Sequence, residues 1–170
     1  MSTSNNPNLP ADELRALLEK AIERILANVD KYGWSIPTAF AVTPDGRDVI
    51  IVADSLDDDR PEPEDPVEEL RKRAESVVFN VHRMIDRGQL RAFAFARNMR
   101  VTLTSDAGPV EQPAVKVILD HEDGGGSIAY LVYDRNSGNS KPVELFYEPL
   151  GERFFPEGGW PADRPREPFG

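Results

Sequence analysis

The sequence of 170 residues predicts one α+β domain, in which two amphipathic helices pack on a single antiparallel sheet of about five to six strands. Two stretches repeat apolar residues every three or four positions, and several shorter segments alternate polar and apolar residues between turn residues. The predicted order is α-β-β-α-β-β-β-β. We expect residues 1–10 to be a flexible N-terminus, residues 11–155 the domain, and residues 156–170 an extended tail rich in proline and glycine.

The first predicted helix follows the polar N-terminus. Its apolar residues recur at spacings of three and four, which places them on one stripe of a 3.6-residue helix. Gly33 lies near the expected end, where a left-handed residue caps a helix. The stripe consists of Leu14, Leu17, Leu18, Ala21, Ile22, Ile25, Leu26 and Val29.

A β-hairpin is predicted next, with strands at residues 38–42 and 49–53. The turn contains Pro44 and Gly46, and it is favoured because proline presets the first turn dihedral and glycine accepts a positive φ. The second strand is an uninterrupted apolar run. Such a run is typical of a strand that is covered on both faces of its sheet.

The second predicted helix has a clear start signal. Asp65 is expected as the N-cap, Pro66 as the first helical residue and Glu68 as the third, so acidic groups lie at the positive end of the helix dipole. Gly88 is expected to end the helix. Its predicted buried stripe consists of Leu70, Ala74, Val77, Val78, Val81, Met84 and Ile85.

The remainder of the chain is predicted to be β-structure. Residues 90–103 alternate, with Phe93 and Phe95 on one face and small residues on the other. Two further strands are predicted at residues 114–121 and 127–134. They flank a Glu-Asp-Gly-Gly-Gly sequence, which is typical of a hairpin turn. The last strand is predicted over residues 142–149.

The composition excludes several classes of function. The chain has 30 acidic and 20 basic residues, and its net charge of -10 argues against nucleic acid or an anionic membrane as the main partner. The absence of cysteine excludes disulfides and thiolate chemistry. Because the first residues do not resemble a secretion signal and no apolar run is long enough to cross a membrane, we expect a cytoplasmic protein.

The charge is unevenly distributed along the chain. Residues 54–69 contain nine acids and one base, whereas residues 71–100 contain eight bases and two acids. A concentrated acidic patch steers association with a basic protein partner, so we expect this acidic loop to bind one. The predicted contact residues are Asp57, Asp58, Asp59, Glu62 and Glu64.

Large aromatic residues in loop-like segments are further candidates for partner contact. Trp34 and Trp160 are the two tryptophans, and exposed aromatic residues mark the binding centres of interfaces. Their alternative role is to cover the core, with Trp160 pinning the tail to the domain.

An alternative site would bind a small molecule between the sheet and the helices, with His121, Tyr133 and Arg97 supplying polar groups. His121 is followed by Glu122 and Asp123, a cluster of the kind that binds a divalent metal or serves as a general base. Successive strand residues point to opposite faces, however, so we favour a solvated hairpin tip. We expect no metal and no cofactor.

Two resemblances add to this interpretation. The order of elements resembles that of profilin-like and roadblock-like domains, which act mostly in dimerisation or as adaptors. The chain also contains the segments VTPDG (residues 42–46), AVKVILDHEDG (114–124), VYD (132–134) and GERFF (151–155). In these segments it is similar to an uncharacterised group of bacterial proteins, a resemblance that implies no activity.

We expect a non-catalytic protein that binds another protein. The sequence has no GK[ST] phosphate loop, no GxSxG elbow, no HExxH zinc motif and no GxGxxG fingerprint. A bacterial immunity-type protein that blocks a basic toxin surface is one version, and a homodimeric adaptor is the other. The alternatives are a small-molecule binding protein or enzyme, and, third, nucleic-acid binding through the basic residues 71–100.

Overall fold

A computed structural model describes residues 12–53, 66–134 and 141–168 of the chain. These residues form two helices and six strands in the predicted order, and all six strands belong to one open antiparallel sheet with the order β2-β1-β3-β4-β5-β6, which confirms the α+β class. The elements are α1 (Asp12–Tyr32), β1 (Thr38–Val42), β2 (Asp48–Ile51), α2 (Pro66–Asp86), β3 (Ala92–Ser105), β4 (Gly108–His121), β5 (Ser127–Asp134) and β6 (Lys141–Pro149).

The two helices lie on opposite faces of the sheet. α1 packs on the face that carries Phe40 and Ala94, and α2 packs on the face that carries Phe93 and Phe95. Side chains alternate between the faces along each strand, so the predicted alternation in β3 is confirmed, and both of its faces are buried over residues 92–96. Full burial of one large apolar side chain of this kind stabilises the fold by about 1.5–3 kcal/mol.

The ends of the helices agree with the sequence signals. Gly33 has a φ of 86° and its amide donates to the carbonyl of Val29, 2.9 Å away. Gly88, which follows the end of α2, also has a positive φ, of 70°. α2 begins at Pro66 as predicted, while the expected cap Asp65 lies outside the described residues. Neither helix is apolar enough along its length to cross a membrane.

β2 differs from its prediction. It is shorter than residues 49–53, and the expectation that both its faces are covered is wrong. Val49 and Ile51 pack on the α2 side, whereas Ile50 on the α1 side is 64% exposed. β2 is an edge strand; α1 lies mainly over β1, β3 and β4 and reaches β2 through the ion pair of Lys20 with Asp48.

β3 and β4 form a longer hairpin than predicted. β3 has the predicted length but lies two residues later than the expected 90–103, and β4 begins six residues before the expected 114–121; the two 14-residue strands pair along their whole length. Asp106 and Ala107 form the turn, and Gly108 follows with a φ of 109°. Exposed residues such as Glu111 dominate the start of β4, so this part of the ribbon lacks an apolar alternation.

β5 has its predicted bounds, and β6 begins one residue earlier than predicted. Among the described strands β6 pairs with β5 alone, and it forms the second edge of the sheet. Val132 pairs with Glu144 and Tyr133 with Pro142, so Val143 is the extra residue of a bulge in β6. The sheet therefore ends in a four-residue edge strand on one side and a nine-residue edge strand on the other.

The C-terminal segment contains no helix or strand between residues 150 and 168, and it packs against the domain. The fully buried carboxylate of Asp120 accepts hydrogen bonds from the amides of Phe154 (2.9 Å) and Phe155 (3.2 Å). Phe154 in turn stacks on His82 of α2, with ring centroids 4.5 Å apart. These contacts attach the segment to β4 and α2.

Candidate functional site

A groove of about 370 Å³ lies between α1 and the edge strand β2. Phe40 of β1 is the direct ladder partner of Ile50 of β2, so both side chains point to the α1 face and form the floor together with Leu17 of α1. Charged side chains form the rim. They are Lys20, Glu23 and Arg24 of α1 and Asp48 of β2.

The edge beside this groove is apolar and its backbone is open. Ile50 is 64% exposed and Val52, just beyond the strand, is 56% exposed. β2 pairs with β1 alone among the described strands, so half of its amide and carbonyl groups point away from the sheet. Such an edge is a template on which another extended chain can pair.

One ion pair crosses the rim of the groove. The ammonium of Lys20 lies 2.7 Å from the carboxylate of Asp48, and both side chains are more than half exposed. Exposed pairs of this kind contribute about 0–1 kcal/mol because water and salt screen them. A ligand that separates the two side chains therefore loses little free energy by breaking this ion pair.

The opposite edge of the sheet also carries exposed apolar side chains. Val143 and Leu145 of β6 are 54% and 38% exposed, and Leu145 lies on the α1 face. Tyr147 of β6 and the α1 residues Ile22 and Leu26 are partly buried and pack against the core on that face. Partial burial raises the pKa of the Tyr147 hydroxyl, and nearby Arg15 opposes this shift.

His121 belongs to a polar network at the end of the sheet where α1 begins. Its Nδ1 accepts a hydrogen bond from the Asp123 amide (3.0 Å), and its Nε2 lies 3.4 Å from the Glu13 carboxylate. Arg91 binds the same carboxylate through two nitrogens, at 2.9 and 3.2 Å. Glu122 points the other way, to Arg166 at 2.8 Å, as the strand alternation predicts. The network ties α1 to β3 and β4.

The three residues of the predicted small-molecule site are not brought together. Tyr133 is buried in the core under α1, while Arg97 lies on the other face of the sheet. His121 shares the α1 face with Tyr133 but lies at the far end of β4, more than six residues or roughly 20 Å away. None of the three lines the groove beside β2.

The two tryptophans lie at opposite ends of the sheet. Trp34 is 41% exposed in the connection from α1 to β1, next to Tyr32. Trp160 packs over Gly88 at the end of α2, and its indole N–H donates to the Arg164 carbonyl at 2.7 Å. Trp160 therefore attaches the tail, whereas Trp34 has a ring open to solvent.

The predicted acidic contact residues lie outside the described residues. They are Asp57, Asp58, Asp59, Glu62 and Glu64. The chain enters this segment directly after Val52 and Ala53. The described chain before it stops at Ala53, two residues after β2.

Four of the eight basic residues from 71 to 100 form ion pairs with acids of the described chain. Arg71 binds Glu68 and Glu75. Similar pairs join Arg73 to Glu69, Arg87 to Glu167 and Arg91 to Glu13. Phe93 and Phe95, in the same stretch, are fully buried.

Neither the groove nor the two open edges could be identified from the sequence. Both depend on strand order, and the order of strands in an antiparallel sheet is a long-range property. The only local signal was the apolar run at residues 49–53, which also fits a covered strand.

Comparisons with protein families, with curated proteins and with solved structures found no match. Within residues 12–53, 66–134 and 141–168, no group of three or more His, Asp or Glu side chains is placed to hold a metal ion.

Proposed function

We propose that this protein binds a partner protein without catalysis, by taking an extended segment of the partner onto the edge strand β2. The observation that supports it is the combination of an exposed apolar edge, at Ile50 and Val52, with the adjoining groove under α1. An added strand forms backbone hydrogen bonds with the edge, and pockets for alternate side chains give specificity.

The sheet geometry determines where the partner's side chains go. A residue directly opposite Ile50 in an added antiparallel strand points to the α1 face, where it enters the groove between Leu17 and Ile50. Its neighbours two positions away follow at about 7 Å intervals on the same face. The preferred segment is therefore extended and apolar at alternate positions.

The charge distribution of this chain indicates which residues lie beside the apolar segment of the partner. Residues 54–69 hold nine acids and one base and begin where β2 leaves the sheet. Complementary charge steers diffusional encounter and raises the association rate. A partner with basic residues beside its apolar segment fits this arrangement, and a basic toxin blocked by an immunity-type protein is one such partner.

The proposal is tested with peptides selected from a random display library against the immobilised protein. We expect selected peptides to alternate apolar residues and to lose at least tenfold in affinity for the Ile50→Lys variant, because a lysine at this position charges the apolar floor near Lys20. Val143→Lys is the matched control, since it adds the same charge to a similarly exposed position on β6. Equal binding by wild type and Ile50→Lys contradicts the proposal.

The acidic segment has its own test with a basic partner or selected basic peptide. Neutralising Asp57, Asp58, Asp59, Glu62 and Glu64 to the corresponding amides is expected to slow association at low salt while leaving dissociation nearly unchanged. An unchanged association rate would contradict a role for the acidic segment in binding.

A homodimeric adaptor is the second candidate, and the nine-residue edge strand β6 favours it. An antiparallel pairing of two β6 strands centred on Leu145 places the two Leu145 side chains next to each other, and the exposed Val143 lies two residues from this centre. Sedimentation velocity tests it. We expect Val143→Lys to dissociate such a dimer and Ile50→Lys to leave it intact, whereas a wild-type monomer at all concentrations contradicts this candidate.

A further inference from the structure

One row of side chains crosses four strands on the face of the sheet opposite α1. Arg97 of β3 pairs directly with Lys116 of β4, Lys116 with Tyr130 of β5, and Tyr130 with Phe146 of β6. Directly opposite residues share a face, and neighbouring strands are about 4.8 Å apart. Two cations and two aromatic rings therefore lie side by side in a single line.

Helix α2 does not cover this part of the sheet. It packs over β1, β2 and β3, and its cluster with Phe93, Phe95 and Phe155 lies on that side. Arg97 is exposed, and Lys116, Tyr130 and Phe146 are half-buried. The row is thus accessible from solvent on a face that the described helices leave open.

The two cations lie side by side, and this arrangement lowers the stability of the fold. Arg97 and Lys116 are direct cross-strand partners, and like charges in that position repel. Neither forms an ion pair with a described residue, in contrast to Arg71, Arg73, Arg87 and Arg91. A bound anion between the two side chains relieves this repulsion.

The two aromatic rings are held in a fixed arrangement. The ring centroids of Tyr130 and Phe146 lie 5.6 Å apart and the Tyr130 hydroxyl donates to the Glu148 carboxylate. Aromatic side chains on an open antiparallel sheet are platforms on which unpaired bases stack, and nearby cations hold the phosphates.

We propose that this row binds single-stranded nucleic acid, with phosphates at Arg97 and Lys116 and bases stacked on Tyr130 and Phe146. The acidic residues of β6, Glu144 and Glu148, lie on the same face and repel phosphate from the β6 side. They therefore orient the strand with its backbone over β3 and β4 and its bases over β5 and β6. This function is separate from the proposed protein binding at β2.

The net charge of -10 limits the affinity and the range of partners. Long-range repulsion disfavours a duplex, whose bases are also closed to stacking. Two phosphate contacts to a single strand give a slope of about -1.4 for log affinity against log salt. The interaction is accordingly expected to be weak, strongest at low salt and selective for unpaired strands.

The test uses the full chain and fluorescein-labelled oligonucleotides of about ten nucleotides, DNA and RNA, in anisotropy titrations at several salt concentrations. Replacing Arg97 and Lys116 together by glutamine is expected to abolish the salt dependence and most of the affinity. Phe146→Ala is expected to weaken binding by about fivefold to 150-fold with the salt slope unchanged, since stacking carries no charge. Phe146→Leu, which keeps an apolar side chain in the sheet, is the second variant if Phe146→Ala does not fold.

The matched control replaces Lys20 and Arg24 by glutamine, which removes the same charge from the α1 side of the sheet. Unchanged affinity in this control, together with preference for single strands over duplex, supports the proposal. It is overturned if no oligonucleotide binds at low salt, if both double variants lose affinity equally, or if duplex binds as well. None of these outcomes affects the peptide test at β2.

Discussion

At the scale of single residues, Asp120 holds the C-terminal segment to the sheet. Its buried carboxylate accepts the amides of His121, Phe154 and Phe155 and lies 3.5 Å from the Arg153 guanidinium. A buried carboxylate is tolerated only when such donors surround it. The sequence could not identify this role, because the partners follow more than 30 positions later in a segment without regular structure.

Asp120→Ala is expected to lower the free energy of unfolding by about 3 kcal/mol, because it leaves buried amides without an acceptor. Urea denaturation measures the change. Asp123→Ala is the control, since its side chain is 82% exposed, and we expect a change of at most about 0.5 kcal/mol there. A loss below about 1 kcal/mol for Asp120→Ala contradicts the anchoring role.

Gly88 shows how one position serves both a helix end and a tertiary contact. Its φ of 70° disfavours any other residue, and a Cβ there would lie 2.6 Å from the Trp160 ring. The sequence predicts that Gly88 ends the helix, but it does not predict the close contact of Gly88 with Trp160.

Gly88→Ala is expected to destabilise the protein by at least about 1 kcal/mol more than Gly124→Ala. Gly124 also has a positive φ, of 98°, but open space around it, so its substitution isolates the backbone strain. Denaturation followed by Trp160 fluorescence in a Trp34→Phe background measures both variants. Equal losses of stability in the two variants would contradict a steric clash between an added Cβ at position 88 and the Trp160 ring.

Tyr130 makes part of the stability depend on pH. Burial, and then the hydrogen bond and charge of Glu148, raise the pKa of Tyr130 to about 12. The ordinary value of about 10 applies in the unfolded chain, so the folded state holds the proton more tightly. The stabilisation is complete below pH 10 and is lost as the pH rises from about 10 to 12.

Urea denaturation at a series of alkaline pH values tests this coupling. The wild type is expected to lose stability above pH 10 more steeply than Tyr130→Phe, which has no ionisable hydroxyl. Parallel stability curves for the two proteins would contradict the raised pKa.

At the scale of elements, the helices and the central strands could be predicted because their signals are local. Periodicity located α1 and α2, and alternation located β3. The prediction for β2 is wrong because an apolar run does not reveal that Ile50, on the α1 face, is left largely uncovered by α1. The start of β4 was missed because its side chains are exposed and its pairing with β3 alone holds it in the sheet.

The β3–β4 pair also carries a prediction on charge. Lys116→Glu converts the direct Arg97–Lys116 repulsion into an attraction and is expected to raise the free energy of unfolding by about 0.2–1 kcal/mol. Urea denaturation at low salt measures the gain, which added salt should reduce. A destabilised variant would show that the two cations do not repel in the wild type.

At the scale of the whole molecule, function depends on what the layers leave uncovered. α1 and α2 cover the centre of the sheet from opposite faces, so the edges β2 and β6 and the outer half of one face remain open. The sequence predicts a sheet with two helices, but strand order and helix placement arise from long-range packing. The residues of the alternative small-molecule site, His121, Tyr133 and Arg97, are therefore dispersed.

The central claim is that a partner strand pairs with β2. Hydrogen exchange of the backbone amides, measured with and without a selected peptide, tests it most directly. Bound peptide is predicted to slow exchange of the outward-pointing amides between Asp48 and Val52 and to leave those of β6 unchanged. Protection confined to β6 or to other surfaces, with β2 amides exchanging as in the free protein, would contradict the claim.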